Sequence, residues 1–249
     1  MANRFLIVSD IDGTLLGDDQ ALEELAAWLA LRRGKVLLAF NSGRSTTSQR
    51  ASIAATPLPE PDALIGNVGT QVERFAPREP LADWPTLAGP WNAKVVRQVL
   101  SEFDDLQLQP EQFLSPYKVS YFVHDAHGSQ LADWQSRLEV AGQAVRIVYS
   151  SNRDLDVLPA GIDKGAAASF LAARWKMPRD RVIVCGDTAN DLSMFEQGFL
   201  GVVVGNALPE LRELDSPRVY HAEGHFATGI KEGLRHWFER VERGRLRPA

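Results

Sequence analysis

Phe5-Leu6-Ile7-Val8-Ser9-Asp10-Ile11-Asp12-Gly13-Thr14 is the stretch on which the fold turns. A short aromatic and β-branched run reads as a buried strand. Two aspartates follow at its C-terminal end, where open α/β sheets bind their ligands. Carboxylates two residues apart share a side if the strand continues, and Gly13 lets the chain turn away behind them. The expected result is a dense negative site at a strand tip, suited to Mg2+ and to nucleophilic chemistry. An EF-hand is excluded, because that loop needs Gly sixth and Glu twelfth, where this chain has Leu15 and Ala21.

Outward from this strand, strand-like and helix-like segments alternate. Leu22, Leu25, Ala26 and Leu29 recur at helical spacing up to Gly34. A strand is expected over 36–40, with Asn41-Ser42-Gly43-Arg44 at its tip, then a short helix from Thr46. Pro57, Pro59 and Pro61 break the chain before a strand over 63–65, which ends at Gly66-Asn67-Val68-Gly69. The middle reads differently: a Pro-containing loop from Trp84 to Trp91, helices over 93–103 and around Leu131 to Ala141, and strands over 119–123, 145–149 and 155–158. From Asp163 the first pattern resumes, with a helix over 164–175, a strand over 182–185, a helix over 192–196, a strand over 201–204 and a final helix to about Glu242. The expected fold class is α/β. A Rossmann-like, doubly wound parallel core formed by 1–83 and 161–249 is interrupted by a smaller α+β unit at 84–160.

The 249 residues are 45% hydrophobic and 24% charged, enough apolar material for a core of this size. A net charge of −5 leaves no basic surplus to neutralise phosphates, so nucleic acid is not an expected partner. Arg240, Arg243, Arg245 and Arg247 read as a solvated helix end. A single cysteine, Cys185, excludes an internal disulfide and reads as a buried thiol. No stretch approaches the roughly 18 apolar residues of a membrane span, and the N-terminus carries no leader pattern, so a soluble cytoplasmic protein is expected.

Four clusters fall at strand tips or helix starts: Asp10/Asp12, Ser42-Gly43-Arg44, Asp163-Lys164-Gly165, and Gly186-Asp187-Thr188-Ala189-Asn190-Asp191. Phosphoryl transfer needs a nucleophile, a metal to gather oxygens, and fixed positive and hydrogen-bonding groups. Asp10, Asp187 and Asp191 supply carboxylates for a metal. Lys164 supplies a point charge at a helix N-terminus, where the dipole opposes it and a structural role is therefore disfavoured. The Ser42 hydroxyl can donate to a phosphate oxygen, with Gly43, Arg44 and Asn190 as further substrate contacts. Asp12 can donate a proton to a leaving oxygen and then take one from water.

These four clusters, in order, resemble the haloacid-dehalogenase-like phosphatase superfamily. The resemblance implies Mg2+, Asp10 as nucleophile through an aspartyl-phosphate, Asp12 as general acid/base, and a cap inserted between the second and third motifs. The metal would be held by Asp10, Asp187 and the backbone carbonyl of Asp12, with Asp191 in support. Ser42 stands where that superfamily often has Thr, and the hydroxyl is kept. Further stretches narrow the likeness to sucrose-phosphate and mannosylfructose-phosphate phosphatases: Tyr117-Lys118-Val119-Ser120-Tyr121, Val148-Tyr149-Ser150-Ser151, Asp154 to Pro159 and Val204-Gly205-Asn206-Ala207. Asn41 to Arg44, His124-Asp125-Ala126 and Asn206 to Leu211 lean toward the mannosylfructose branch, whereas Lys118 and Tyr121 lean toward the sucrose branch.

The expected substrate is therefore a phosphorylated disaccharide, and a sugar-phosphate glycosyltransferase is a candidate pathway partner. Lys118, Ser151, Asn152 and Asp154 are candidate sugar contacts, because polyols need convergent donors and acceptors. Thr70, after the Gly66–Gly69 loop, is a further candidate for the substrate site. Trp84, Trp91, Tyr117 and Tyr121 have the rings to stack on a sugar face, but core or hinge packing is their first reading. A phosphatase of another, smaller sugar phosphate is the alternative on the substrate side, and a phosphomutase and a non-catalytic sugar-phosphate sensor are the rival readings of the same clusters.

Overall fold

The computed structural model describes residues 4–244. The first part of the chain forms β1 (Phe5–Ser9), β2 (Val36–Asn41), β3 (Ala63–Gly66), β4 (Gln71–Arg74) and β5 (Glu79–Pro80). The middle forms β6 (Gln107–Leu108), β7 (Val119–Phe122), β8 (Val145–Ser150) and β9 (Asp154–Pro159), and the last part β10 (Val182–Gly186), β11 (Leu200–Val203) and β12 (Val219–His221). The helices are α1 (Asp19–Ala30), α2 (Thr46–Ala55), α3 (Ala93–Leu100), α4 (Gly128–Val140), α5 (Lys164–Arg174), α6 (Leu192–Phe195), α7 (Pro209–Arg212) and α8 (Phe226–Glu242).

One sheet has the order β12-β11-β10-β1-β2-β3-β4-β5. From β12 to β3 every neighbouring pair is parallel. β1 is buried along its whole length, as an unbroken apolar run requires when helices cover both faces. Chain order runs outward from β1 in both directions, to β2 and β3 on one side and to β10 through β12 on the other. This is the topological switch point, and ligand crevices open there beyond the strand ends. The Asp10 amide donates to the Cys185 carbonyl at 3.0 Å, so the two motif-bearing strand tips are tied side by side.

The helices are fixed by ordinary caps. Asp18 accepts from the Ala21 amide at the start of α1, and Asp163 accepts from the Ala166 amide at 2.7 Å at the start of α5. α1 buries Leu22, Leu25 and Leu29 and lies beside α8, where Trp28 and Phe238 stack with centroids 5.6 Å apart. Cys185 is fully buried in β10, and burial pushes its thiol well above the usual range. No helix among the described residues is long and apolar enough to cross a membrane.

The second sheet, β6-β7-β9-β8, is antiparallel throughout. It has its own apolar cluster, built from Val96 and Leu100 of α3, Trp134 and Leu138 of α4, and Val119, Tyr121, Leu155 and Val157 of the strands. An ion pair joins the two sheets' territories: Arg146 on β8 reaches the α5 cap Asp163 at 2.7 Å.

The expected parallel pattern needs one amendment. β4 and β5 turn back antiparallel at the sheet edge, a hairpin too short to show period-two patterning. α1 stops at Ala30, with a turn carrying the chain through Gly34, and α3 stops at Leu100 because Ser101 opens a turn. Arg240 and Arg243 do lie in the last turn and cap of α8, and Arg245 and Arg247 fall outside the described residues.

Candidate active site

At the tip of β1 the chain turns sharply. Asp10 is 5% exposed, whereas Asp12 lies at the surface. Gly13 sits at φ +76°, and a Cβ there would come within 2.2 Å of Asp187 Oδ2. Only glycine allows both that conformation and that approach. Thr14 Oγ1 then donates to Asp187 Oδ1 at 2.7 Å, so the first motif orients the carboxylate of the fourth.

Lys164 enters from the first turn of α5 and is completely buried. Its ammonium donates to Asp10 Oδ1 at 2.7 Å, Asp191 Oδ1 at 2.7 Å and Asn190 Oδ1 at 2.8 Å, using all three N–H bonds. The other oxygen of Asp191 accepts from the amides of Asp187 and Thr188 at 3.0 and 3.2 Å. Asp191 is thus fully committed to holding Lys164 and the β10 turn, while Asp10 and Asp187 each keep an oxygen without a partner among the described residues.

Asp10, Asp187 and Asp191 each offer an oxygen within 4.8 Å of the others. One ammonium does not balance three buried carboxylates. Burial pushes the Asp10 carboxyl well above its ordinary range, with Asp191 and Asp187 adding to the rise against the pull of Lys164. Burial and then Asp191 push Asp187 up to about 6. Burial opposes the Lys164 charge, but Asp10 and Asp191 outweigh it and hold the ammonium protonated. A hard divalent cation matches this donor set in charge and in oxygen chemistry.

The Asp187 shift predicts how metal and pH act on stability. Its folded value of about 6 lies above the ordinary 3.8, so the folded state binds the proton more tightly. Without metal, this group destabilises the fold above pH 6 and stops doing so as pH falls through that window. A cation binds the ionised form and relieves the repulsion. Mg2+ should therefore raise the melting temperature clearly at pH 7.5 and much less at pH 5. Equal shifts in thermal unfolding at the two pH values would contradict this.

The structure brings most of the sequence candidates to one cleft of about 350 Å³. Asp10, Asp12, Ser42, Gly43, Arg44 and Asn190 line its floor, and Lys118, Ser151 and Asp154 line the opposite wall. Ser42 is buried at the β2 tip. Arg44, expected to contact substrate, forks onto both oxygens of Asp12 and also donates to Ser52 Oγ at 2.6 Å. The Asp12 carboxylate is therefore outside the acidic trio.

Lys164, Asp187 and Asp191 do not line the cleft themselves but stand behind Asp10. Two further candidates fall elsewhere. Asn152 does not line the cleft; it binds Asp125 and lies 3.1 Å from the Tyr149 hydroxyl. Thr70 lines a neighbouring hollow instead. The reason is the loop before it. Asn67 donates its amide to the Arg44 carbonyl, Val68 donates to Ser42, and a Cβ on Gly69 would meet the Asp163 carbonyl at 2.1 Å. The Gly66–Gly69 turn thus supports the second and third motifs from behind.

Gln109, Phe113, Phe122, Arg153, Asp156 and Thr188 also line the cleft, beyond the residues expected there from the sequence. For Asp156 the signal was available: it lies two residues from Asp154 on β9, hence on the same face. Across the strands Ser120 pairs with Asp156 and Phe122 with Asp154. Asp156 accepts from Ser120 Oγ at 2.5 Å and from Lys118 Nζ at 3.3 Å, and Asp154 accepts from Gln109 at 3.0 Å. Trp84, Trp91, Tyr117 and Tyr121 do not line the cleft. Another hollow, between α1 and α8, opens at the far end of β1 and contains none of the motif residues.

Comparison with known proteins agrees with this geometry. Residues 3–238 match the family model described as sucrose-6F-phosphate phosphohydrolase. The chain is 39% identical to a mannosylfructose-phosphate phosphatase of Agrobacterium fabrum, over 93% of this chain and 96% of that protein. It is 36% identical to sucrose-phosphatase 1 of Nicotiana tabacum, covering 95% of this chain but only 60% of the tobacco protein's length. Among solved structures, the sucrose-phosphatase of Synechocystis sp. PCC6803, determined with sucrose and phosphate, superposes with a TM-score of 0.87 at 32% identity, covering 95% of this chain and 98% of that one.

Proposed function

The chain belongs to the sucrose-6F-phosphate phosphohydrolase family, and from that premise we propose that it hydrolyses a phosphorylated disaccharide of the sucrose 6-phosphate type with Mg2+ as cofactor, in the cytoplasm. One observation carries the reading: a single cleft joins Asp10 and Asp12 at the β1 tip to the polar face of the second sheet around Lys118, Asp154 and Asp156, with Lys164 bound to Asp10 from behind. Phosphate chemistry and polyol recognition thus meet in one space.

In this reading Asp10 attacks phosphorus in line through its free oxygen, giving an aspartyl-phosphate. Lys164 holds Asp10 in place and offsets the charge that gathers around the phosphoryl group. The Ser42 hydroxyl and the Gly43 region donate to phosphate oxygens. Asp12 protonates the departing sugar oxygen and then takes a proton from the attacking water, once Arg44 releases its carboxylate. Asp10, Asp187 and the Asp12 carbonyl would hold Mg2+, which supplies charge for the phosphate oxygens, with Asp191 fixing Lys164 and the turn beside them.

Segment 84–160 acts as the specificity cap over the core formed by 1–83 and 161–249, and its closure excludes water. A glycosyltransferase that uses a phosphorylated acceptor would supply such a substrate. Mannosylfructose 6-phosphate is the second reading, favoured by the 39% identity to an enzyme of nearly the same length.

The test is phosphate release across a panel of mono- and disaccharide phosphates, with and without Mg2+. Turnover concentrated on sucrose or mannosylfructose 6-phosphate is expected. A preference for monosaccharide phosphates would overturn the disaccharide reading, and transfer of the phosphoryl group without free phosphate would make the protein a mutase. In the same panel Asp12→Ala should keep part of its activity on p-nitrophenyl phosphate, whose leaving group needs no proton, and lose it on the sugar substrates.

A further inference from the structure

A second hollow, of about 430 Å³, begins where the Ser42–Arg44 turn runs into α2. Its walls come from both sheets' territories: Thr46 and Thr70 on one side, Ser115 and Tyr117 from the loop before β7 on the other, with Trp84 of the connecting segment between them. We propose that this hollow is a second binding site, separate from the catalytic cleft, for a neutral hydroxyl-rich ligand of the sugar class. The choice of sugar rests on the sugar-phosphate reading above.

Three observations carry it. Thr70 is 1% exposed, and its hydroxyl has no hydrogen-bond partner. Buried hydroxyls are nearly always paired, so an orphan in the wall of a hollow is the mark of a missing donor or acceptor. Second, the wall carries no spare charge. Its charged side chains are Glu73 and Arg78, 3.6 Å apart, and Glu73 is further bound by Arg50 at 2.7 Å. The catalytic cleft next door is rich in charge, so the two sites call for different ligands. Third, the remaining wall combines hydroxyls with aromatic rings, the pairing that suits a sugar's polar rim and apolar face. Trp84 is held for this by its Nε1–H bond to the Gly69 carbonyl at 2.8 Å and by packing on Phe170.

Because the walls belong to the core and to the second sheet, an occupant bridges them. It would favour whichever arrangement of the two it fits better, and so alter turnover without competing for the cleft. A free disaccharide, the dephosphorylated product, has the required chemistry.

The experiment uses the full chain and sucrose as probe. Sucrose binding is followed by ligand-observed NMR, alongside its effect on p-nitrophenyl phosphate hydrolysis, in the wild type, Thr70→Val, Tyr117→Ala and Lys118→Ala. Two classes of sucrose binding are expected in the wild type. Thr70→Val and Tyr117→Ala should each weaken one class by about tenfold, the loss expected for one directed hydrogen bond or ring contact. Lys118→Ala should weaken the other class only. The sucrose effect that Thr70→Val removes should be non-competitive. Thr70→Val removes a hydroxyl without a partner, so its melting temperature should hold, which separates loss of binding from loss of fold. The proposal is overturned if Thr70→Val and Tyr117→Ala leave sucrose binding unchanged, or if all bound sucrose competes with p-nitrophenyl phosphate. It is also overturned if inorganic phosphate, and not sucrose, is the probe whose binding Thr70→Val weakens. Phosphate release from sugar phosphates by the wild type tests the catalytic reading separately, so either can fail alone.

Discussion

Asp10→Asn is expected to reduce phosphate release by about 10⁴-fold or more, since the amide cannot form the acyl-phosphate bond and no neighbouring group can replace it. Asp187 is tied to Thr14 and Asp191 to Lys164 and two amides, so neither can swing into the attacking position. The same substitution should leave the fold intact. It removes one of three buried carboxylates that repel each other, and the asparagine oxygen can still accept from Lys164. Melting temperature measured in chelator should therefore hold or rise while steady-state turnover disappears. Retained phosphate release by this variant would sink the nucleophile assignment.

Lys164→Met should do the opposite to stability and nearly the same to rate. Methionine fits the volume but removes the only cation among the described residues in contact with Asp10 and Asp191, both at 2.7 Å. Breaking one side of a buried charge network costs about 3–5 kcal/mol, because the remaining charges stay buried without a partner. The loss should be largest above pH 6, where Asp187 is ionised, and smaller under acid conditions that protonate the cluster. Turnover should fall by about 10³-fold, the scale of removing one directed electrostatic contact at a reacting centre, here the one that holds and charge-balances Asp10. Denaturant unfolding at pH 5 and pH 8 measures the first effect and phosphate release the second. Equal stability of variant and wild type at pH 8 would mean that Lys164 does not balance these carboxylates.

The parts of this site that lie on strand tips were legible in the sequence for a physical reason. A buried parallel strand is an apolar run of fixed length, so the first polar residues after it must emerge at the sheet's C-terminal edge. That rule located Asp10, Ser42 and Asp187, and the helix dipole singled out Lys164. The opposite wall was only half legible. β7 and β9 alternate with period two, which carries Asp154 and Asp156 to one face, but the partner across the gap depends on strand register. Gln109, just after a strand that is only two residues long, carries no pattern at all. Thr70 was misplaced because its direction depends on Asn67 and Val68, both at positive φ. A valine in that conformation is unusual enough that no local preference would announce it.

Cys185 sits in the middle strand of the β11-β10-β1 trio, fully buried, with its neighbours' hydrogen bonds closed on both sides. Being the one thiol in the chain, it gives any sulfhydryl reagent a single address. That address is hidden until β10 separates from the sheet. The rate at which an alkylating reagent takes up the thiol therefore clocks the rarest excursion of the molecule, the opening of its catalytic sheet, with no label added and no residue changed.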